Sequence, residues 1–361
     1  MARAVRNEVI AEGEVGVYHC INRCVRRAFL CGQDPLSGRS FDHRKVWIQQ
    51  RLEMLAGQFG IDVLGFTVMS NHIHVVLRNR PDVAAGWSED EVALRWWNLF
   101  PQRRDDDGQP AEPQPNELAM LKADVRALAE RRIRLSSISW FMRCLCEGIA
   151  RQANREDRCT GRFWEGRFKC QALLDEAAIL ACSVYVDLNP IRAGQAATPE
   201  TSQFTSAYER IQANKAELQA SATKSDEAKR AATAVGETKR DAWLSPIELA
   251  QQAVATPRKE PVPKRRASNL GFLPLTLAEY LKLLDWTGRQ IRQDKRGVIP
   301  ADLRPILERL HVVGDAWVDQ VTHFSRWFRR AVGRASTLSQ AAAQRGNRWL
   351  QGIAHSREAF A

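Results

Sequence analysis

Apolar and polar residues alternate in several short stretches of the chain, and this alternation predicts β-strands. Residues 15–22 alternate loosely, which is typical of a strand with one buried face. Residues 61–69 and 72–77 are rich in apolar side chains and are separated by a short polar connection, so we expect a β-hairpin. Residues 168–174 form a further candidate strand.

Helical spacing of apolar residues fills much of the chain between these strands. It occurs at residues 42–60, in the charged segment 117–134 and in the more apolar segment 138–154. Asp175 is a candidate N-cap for another apolar helix, and Pro190 ends that helix because proline cannot continue its hydrogen bonds. Strands and helices in this order predict an α+β fold with an open sheet.

Changes in composition divide the rest of the chain. Residues 81–116 contain several prolines and a charged run, which predicts a short helix and a flexible polar segment inserted in the domain. Residues 214–268 turn rich in Ala, Lys and Glu and indicate a linker. Apolar periodicity then returns, so we expect a main domain at residues 1–213 and a small helical C-terminal domain at residues 269–361.

The composition favours a globular protein with an anionic partner. Of its 361 residues, 44% are hydrophobic, which excludes a chain that is disordered throughout. The 53 Lys and Arg outnumber the 42 Asp and Glu, and the formal charge of +11 favours nucleic acid as the partner. No apolar run approaches the roughly 18–20 residues that span a bilayer, and residues 1–15 lack the apolar core of a signal peptide. We therefore expect a cytoplasmic protein without a membrane partner.

The cysteines point to a reducing compartment. All eight lie at or before residue 182, and none forms a Cys-x-x-Cys pair, so we expect free thiols. A zinc site of Cys20, Cys24 and Cys31 with His19 or His43 is the alternative, which the irregular spacing disfavours.

The sharpest local motif is His72-Ile73-His74 in the second strand of the predicted hairpin. Residues two apart on a strand project from the same face, so the two imidazoles stand side by side. Neutral imidazoles at that spacing can hold one divalent metal ion. The alternative is an ordinary histidine pair that packs in the core or at the surface.

Tyr185 and Asn189 form a second candidate constellation. They are four residues apart in the helix that is predicted to end at Pro190, and so share one face. A phenol beside a bound cation is a candidate nucleophile, and an amide oxygen is a ligand that Mg²⁺ or Mn²⁺ accepts. The alternative is a packing tyrosine followed by an Asn-Pro helix stop.

Four blocks in the same order as in a known family carry a resemblance that no single motif carries. The blocks are residues 18–23 (YHCINR), 65–76 (GFTVMSNHIHVV), 161–170 (GRFWEGRFKC) and 185–194 (YVDLNPIRAG). Together they resemble the REP-associated tyrosine transposases of the HUH superfamily of single-strand DNA endonucleases. The resemblance covers roughly residues 15–210 and leaves the segment at 81–116 and the C-terminal part outside it.

The resemblance implies a ferredoxin-like HUH domain with a central antiparallel sheet, extended here by C-terminal helices. It implies that His72, His74 and Asn189 hold a divalent metal ion, Mg²⁺ or Mn²⁺, and that Tyr185 is the nucleophile. Phe168 stands where many relatives have a second tyrosine, which leaves one tyrosine in a family block suited to the chemistry.

The implied activity is metal-dependent nicking and rejoining of single-stranded DNA through a 5′-phosphotyrosine intermediate on hairpin-forming repeats. The implied partner is single-stranded or hairpin DNA, and the implied location is the nucleoid. The chain is a monomer or a homodimer; the sequence does not distinguish them. A domesticated hairpin-binding protein without cleavage is the first alternative. A metallohydrolase is a second one, although the sequence offers no convincing further ligands for it.

Basic residues interleaved with aromatic ones are candidate DNA contacts, because arginines neutralise phosphates and aromatic rings stack on bases. The candidates are Arg23, Arg26, Arg27, Arg162, Phe163, Trp164, Arg167, Lys169 and Arg192. The alternative is that Phe163 and Trp164 anchor the core and the arginines are solvated. Arg192 has its own alternative, a complement to a helix C-terminus.

Overall fold

A five-stranded mixed sheet lies at the centre of the protein, for which a computed structural model describes residues 8–25, 31–33, 38–106, 108–223, 239–249, 265–293 and 304–360. The strands are β1 (Gly16–Arg23), β2 (Ile61–Val68), β3 (His72–Asn79), β4 (Lys169–Leu173) and β5 (Ala331–Val332). Their spatial order is β2-β3-β1-β4-β5. The pairs β2–β3, β3–β1 and β1–β4 are antiparallel, and the pair β4–β5 is parallel. The fold is therefore α+β.

Helices surround the sheet. They are α1 (His43–Gln58), α2 (Pro81–Ala85), α3 (Glu89–Leu99), α4 (Pro115–Ala123), α5 (Val125–Leu135), α6 (Ile138–Glu156), α7 (Glu176–Asp187), α8 (Asn189–Arg192), α9 (Ser206–Thr223), α10 (Leu277–Gln293), α11 (Arg304–Arg309), α12 (Gly314–Trp327), α13 (Ala335–Gln344) and α14 (Ile353–Ala359). A 3₁₀ helix covers Pro199–Thr201. In the part of the chain that the structure describes, none of these helices is long and apolar enough to cross a bilayer.

Alternation along the strands gives the sheet two buried faces. Ile73, Val75 and Leu77 of β3 join the core that includes the apolar sides of α1 and α6. Val76 belongs to the opposite core, which includes α7 and the C-terminal helices. His72 and His74 alternate with the first set, so they lie on the face that α7 covers.

Local sequence fixes the position of α7. The Asp175 carboxylate accepts a hydrogen bond from the backbone N–H of Ala178 at 3.0 Å, which is an N-cap. The same carboxylate accepts from the backbone N–H of Arg334 at 2.7 Å and so ties the start of α7 to the C-terminal part of the chain. All positions of α7 that follow Glu176 are buried, because the helix is enclosed between the sheet and the C-terminal helices.

The C-terminal helices share a core with the predicted main domain. Phe324 of α12 packs in the cluster that holds Tyr185, and Tyr280 of α10 donates its hydroxyl to the Asp187 carboxylate at 2.6 Å. β5 extends the main sheet. The boundaries at residues 213 and 268 stay a prediction, but the described parts on either side of them are in contact.

The predicted linker is only partly described. Residues 224–238 and 250–264 lie outside the described residues, whereas residues 214–223 continue α9. Between the two gaps, Trp243 is buried and Leu244 forms a bridge with Val63 of β2. This middle part of the predicted linker belongs to the core.

The inserted segment at residues 81–116 holds two helices, α2 and α3, rather than one, and the start of α4. Ser88 and Glu91 form a reciprocal capping box at the start of α3. Trp97 is fully buried, and its indole N–H donates to the Ala111 carbonyl at 2.7 Å. The irregular stretch before α4 is thus fastened to α3 by a buried side chain.

Candidate functional site

The histidine pair of β3 and the tyrosine of α7 line one pocket. Its volume is about 260 Å³. Strand pairing brings Arg23 of β1 opposite His72, and α7 crosses this face of the sheet. The lining residues are Ile21, Asn22, Arg23, His72, His74, Glu165, Gly166, Arg167, Lys169, Tyr185 and Ser325. The geometry therefore brings together His72, His74 and Tyr185, whereas Asn189 is not among the lining residues.

The two imidazoles of the pair differ in exposure. Their ring centroids are 4.8 Å apart, as expected for residues i and i+2 on one strand face. His72 is half-buried at the pocket, and its Nδ1 lies 2.5 Å from the Asn71 side-chain oxygen, which fixes the ring orientation. His74 is 3% exposed, and its Nε2 is buried without a hydrogen-bond partner among the described residues.

A third imidazole, which belongs to neither of the two candidate motifs, lies behind His74. His19 of β1 is fully buried, and its Nε2 lies 2.9 Å from His74 Nδ1. Its Nδ1 lies 2.9 Å from Oε1 of Gln171, which is opposite His19 in the pairing of β1 with β4. The strand register is the signal that finds both residues, because it places His19 and Gln171 on the face that carries His74.

Burial keeps all three imidazoles neutral at pH 7. Desolvation lowers the pKa of His19 to about 4, and the hydrogen bond that Gln171 accepts from His19 acts in the opposite direction. The pKa of His72 falls to about 4, mainly through burial and also through the nearby Arg23 charge. Burial likewise holds the pKa of His74 well below its ordinary value. Neutral rings are what metal ligation requires, since a protonated imidazole has no lone pair to give.

Tyr185 lies edge-on to the histidines. Its ring centroid is 5.6 Å from that of His74 and 5.9 Å from that of His19, with the planes near perpendicular. On the other side, Phe324 of α12 stacks on the tyrosine ring at 5.1 Å with an interplanar angle of 25°. The Arg192 guanidinium lies 4.8 Å from the centre of the same ring. These neighbours hold the phenol at the pocket, where Tyr185 is 5% exposed.

Asn189 lies one turn beyond Tyr185, at the start of α8. Its side-chain N–H donates to the Tyr185 backbone carbonyl at 3.0 Å, and the residue is 7% exposed. No cluster of three or more His, Cys, Asp or Glu side chains suited to a metal ion occurs among the described residues. This also applies to the cysteines of the zinc alternative, as far as they are described. The role of Asn189 as a third ligand stays a prediction.

One observation nevertheless indicates that the histidine pair can hold a divalent cation. Nε2 of His74 is a buried polar nitrogen without a partner in the described part of the chain. Such an atom costs free energy unless a ligand satisfies it. His72 stands beside it with Nδ1 engaged by Asn71, which leaves its Nε2 as the other available nitrogen.

Several of the predicted DNA contacts surround the pocket entrance. Arg23, Arg167 and Lys169 line the pocket, and Arg167 and Lys169 are exposed. Glu165 lies among them, 3.7 Å from the Arg23 guanidinium. The entrance is thus a mainly cationic surface. Arg162 is exposed outside the pocket lining, and Arg26 and Arg27 lie outside the described residues.

Three other candidates for DNA contact have partners within the protein. Phe163 is 2% exposed and Trp164 is 7% exposed; the Trp164 indole N–H donates to the Cys146 carbonyl at 2.8 Å. Both rings therefore pack in the core, as the alternative interpretation had it. Arg192 donates to the Thr322 carbonyl at 2.6 Å in addition to its contact with the tyrosine ring. Base or phosphate contact by these residues stays a prediction.

Comparisons with known proteins give one structural likeness. No protein-family model and no curated protein matches the chain. A solved structure described as a REP-associated tyrosine transposase bound to a REP hairpin is similar, with 11% identity over 58% of this chain and 86% of that chain and a TM-score of 0.34. At that TM-score, the likeness carries no argument about the class of protein.

Proposed function

We propose that the protein nicks and rejoins single-stranded DNA, in a metal-dependent reaction with Tyr185 as the nucleophile and hairpin-forming DNA as the substrate. The observation that supports this proposal best is the convergence of Tyr185, His72 and His74 on one pocket with a cationic entrance. The motif blocks that carry the family resemblance supply these same three side chains.

His72 and His74 would hold the cation through their Nε2 atoms, and Asn189 is the candidate for a third ligand. When bound, Mg²⁺ or Mn²⁺ would withdraw charge from a non-bridging oxygen of the scissile phosphate. Both imidazoles are neutral at pH 7, so a cation meets no charge repulsion from them.

Tyr185 performs the covalent step. Its phenolic oxygen attacks the phosphorus in line, the new Tyr O–P bond forms, and the bond from phosphorus to the 3′ oxygen breaks. The phenol loses its proton and the leaving 3′ oxygen gains one, so the products are a 5′-phosphotyrosine and a free 3′-hydroxyl. A second 3′-hydroxyl can reverse the step and rejoin DNA without ATP, because the phosphodiester energy is kept in the covalent link.

Arg23, Arg167 and Lys169 would hold the DNA backbone at the entrance. Their charges attract phosphates, and the contact weakens as salt is raised. We therefore expect binding of a single-stranded hairpin to depend on salt and to fall when Arg167 and Lys169 are both replaced by alanine.

The test is a covalent band. Wild-type protein is incubated with end-labelled hairpin DNA and Mn²⁺ and run on a denaturing gel, which retains only covalent adducts. We expect an adduct with wild type, none with Tyr185→Phe, and unchanged hairpin binding by that variant in a gel-shift assay. An adduct that persists in Tyr185→Phe would contradict the proposal.

Tyr208→Phe is the matched control. Tyr208 is a half-buried tyrosine of α9 outside the pocket lining, and its ring contacts Arg240. The Tyr208→Phe substitution also removes a phenolic hydroxyl, but one outside the pocket, so we expect the covalent adduct to form as in wild type. Hairpin binding without an adduct in wild type would instead favour the non-cleaving DNA-binding protein.

A further inference from the structure

We propose that Gln171 and His19 are positioning residues that hold His74 in the tautomer with its proton on Nδ1, and so leave the lone pair on Nε2. The inference rests on the proposed function and deepens it, since Nε2 of His74 is the atom that would bind the cation. Each step follows from what a hydrogen-bond partner is able to donate or accept.

The first step starts at the backbone of the C-terminal segment. The Phe328 carbonyl only accepts, and Gln171 donates to it at 2.6 Å through its side-chain amide nitrogen. This fixes which end of the Gln171 carboxamide is oxygen. The other end, Oε1, therefore faces His19.

The second step assigns the proton of His19. Because Gln171 Oε1 only accepts, the His19 Nδ1 at 2.9 Å carries the proton and donates it. A doubly protonated His19 would be a buried cation, since the side chain is fully enclosed and faces a carboxamide and another imidazole. In the neutral ring, Nε2 has the lone pair and accepts.

The third step transfers this assignment to His74. His74 Nδ1 lies 2.9 Å from the accepting Nε2 of His19, so it carries the proton and donates. A neutral His74 then has its lone pair on Nε2, the atom that is buried without a partner in the described part of the chain. The series Phe328, Gln171, His19 and His74 thus has one proton arrangement that satisfies every contact.

The tautomer is directly measurable without metal or DNA. Protein labelled with ¹⁵N-histidine is studied by long-range ¹H–¹⁵N correlation, which distinguishes protonated from unprotonated ring nitrogens, and single His→Gln variants assign the seven histidines. We expect His19 and His74 both to be protonated at Nδ1. A His74 ring protonated at Nε2 would overturn the inference.

Two substitutions of His19 separate positioning from packing. His19→Gln keeps an acceptor where Nε2 was, because a glutamine carboxamide reaches the same position, whereas His19→Leu removes it. Loss of a partner that orients a metal ligand typically lowers affinity by about 10- to 100-fold. We expect His19→Leu to weaken Mn²⁺ binding by that factor, as measured by the electron paramagnetic resonance signal of free Mn²⁺, and His19→Gln to retain the affinity.

A further variant tests the inference even if His19→Leu does not fold. Gln171→Met keeps the length of the side chain and removes the acceptor for His19 Nδ1, so the His74 spectrum is expected to show both tautomers. A wild-type spectrum maintained in Gln171→Met would overturn the inference for Gln171.

The outcomes distinguish this inference from the proposed function. Wild-type Mn²⁺ affinity in His19→Leu, together with a normal covalent adduct, would overturn the positioning role alone. Absence of Mn²⁺ binding in the wild type would overturn the metal step of the proposed function. It would also overturn the claim that the His74 tautomer serves metal binding.

Discussion

Asp62→Asn is expected to destabilise the protein by about 3 kcal/mol, the lower end of the range of about 3–5 kcal/mol for breaking a buried ion pair. The Asp62 side chain is fully buried and lies opposite Arg78 in the pairing of β2 with β3. Its Oδ2 accepts from Arg78 at 2.9 and 2.7 Å, and its Oδ1 accepts from the backbone N–H of Ser268 at 2.9 Å. Asparagine keeps the shape but leaves the Arg78 guanidinium without its counter-charge.

We expect a loss at the lower end of this energy range because Arg78 has other hydrogen-bond partners. It also donates to the carbonyls of Leu270 and Gly271 at 2.6 and 2.9 Å, so part of its hydrogen bonding survives the substitution. These carbonyls belong to the segment that begins the predicted C-terminal domain. The ion pair therefore couples that segment to the central hairpin.

Urea unfolding monitored by tryptophan fluorescence measures the effect. Asp285→Asn is the matched control, because Asp285 pairs with Arg289 one turn further along α10, and their side chains are 38% and 70% exposed. Exposed pairs of this kind contribute little to stability, so the control should unfold close to the wild-type midpoint. The reasoning would be refuted by an Asp62→Asn variant no less stable than the Asp285→Asn control. In a double-mutant cycle with Arg78→Met, the double variant should lose less stability than the sum of the losses in the two single variants.

Three further predictions concern buried groups. Asp187→Asn should cost about 1–3 kcal/mol in urea unfolding, because the carboxylate accepts from Ser206, from the backbone N–H of Ala207 and from Tyr280; an unchanged midpoint would contradict this. The pKa of His19 is lowered to about 4 by burial, so the unfolded chain binds more protons below about pH 6.5 and stability should fall from pH 6.5 towards pH 4. His19→Gln should flatten the dependence of the unfolding free energy on pH by up to about 1.4 kcal/mol per pH unit. Equal slopes for the variant and the wild type would contradict this. Burial raises the pKa of Cys31 to about 12 and of Cys144 to about 11, so a disulfide reagent should label the half-buried Cys159 and Cys170 first; equal rates would exclude this.

Local pattern was sufficient for most strands and helices near the site. The alternation at residues 15–22 and the hairpin at 61–77 correspond to β1, β2 and β3, and the predicted cap at Asp175 is confirmed. These features depend on neighbours in sequence. The segment at residues 117–134 is helical as predicted, and Asp124 divides it into two helices, because this residue ends α4 and caps α5, accepting from the backbone N–H of Ala127 at 2.9 Å.

Contacts between distant segments were beyond what the sequence pattern indicates. An amphipathic C-terminal helix has an apolar face, but nothing in its periodicity says that Phe324 stacks on Tyr185. The two residues of β5 are too few to show an alternation. Nothing in the sequence around His19 indicates its contact with His74, because that contact depends on the register between β1 and β3.

Chain order has a consequence for when the pocket is complete during synthesis. The carbonyl that orients Gln171 belongs to Phe328, and the ring that stacks on Tyr185 belongs to Phe324. A nascent chain released at residue 300 would contain both histidines and the tyrosine but neither of these supports. Premature termination products would therefore carry the Tyr185 phenol in an unfinished cavity, and the cavity can close only after the ribosome has translated Phe328.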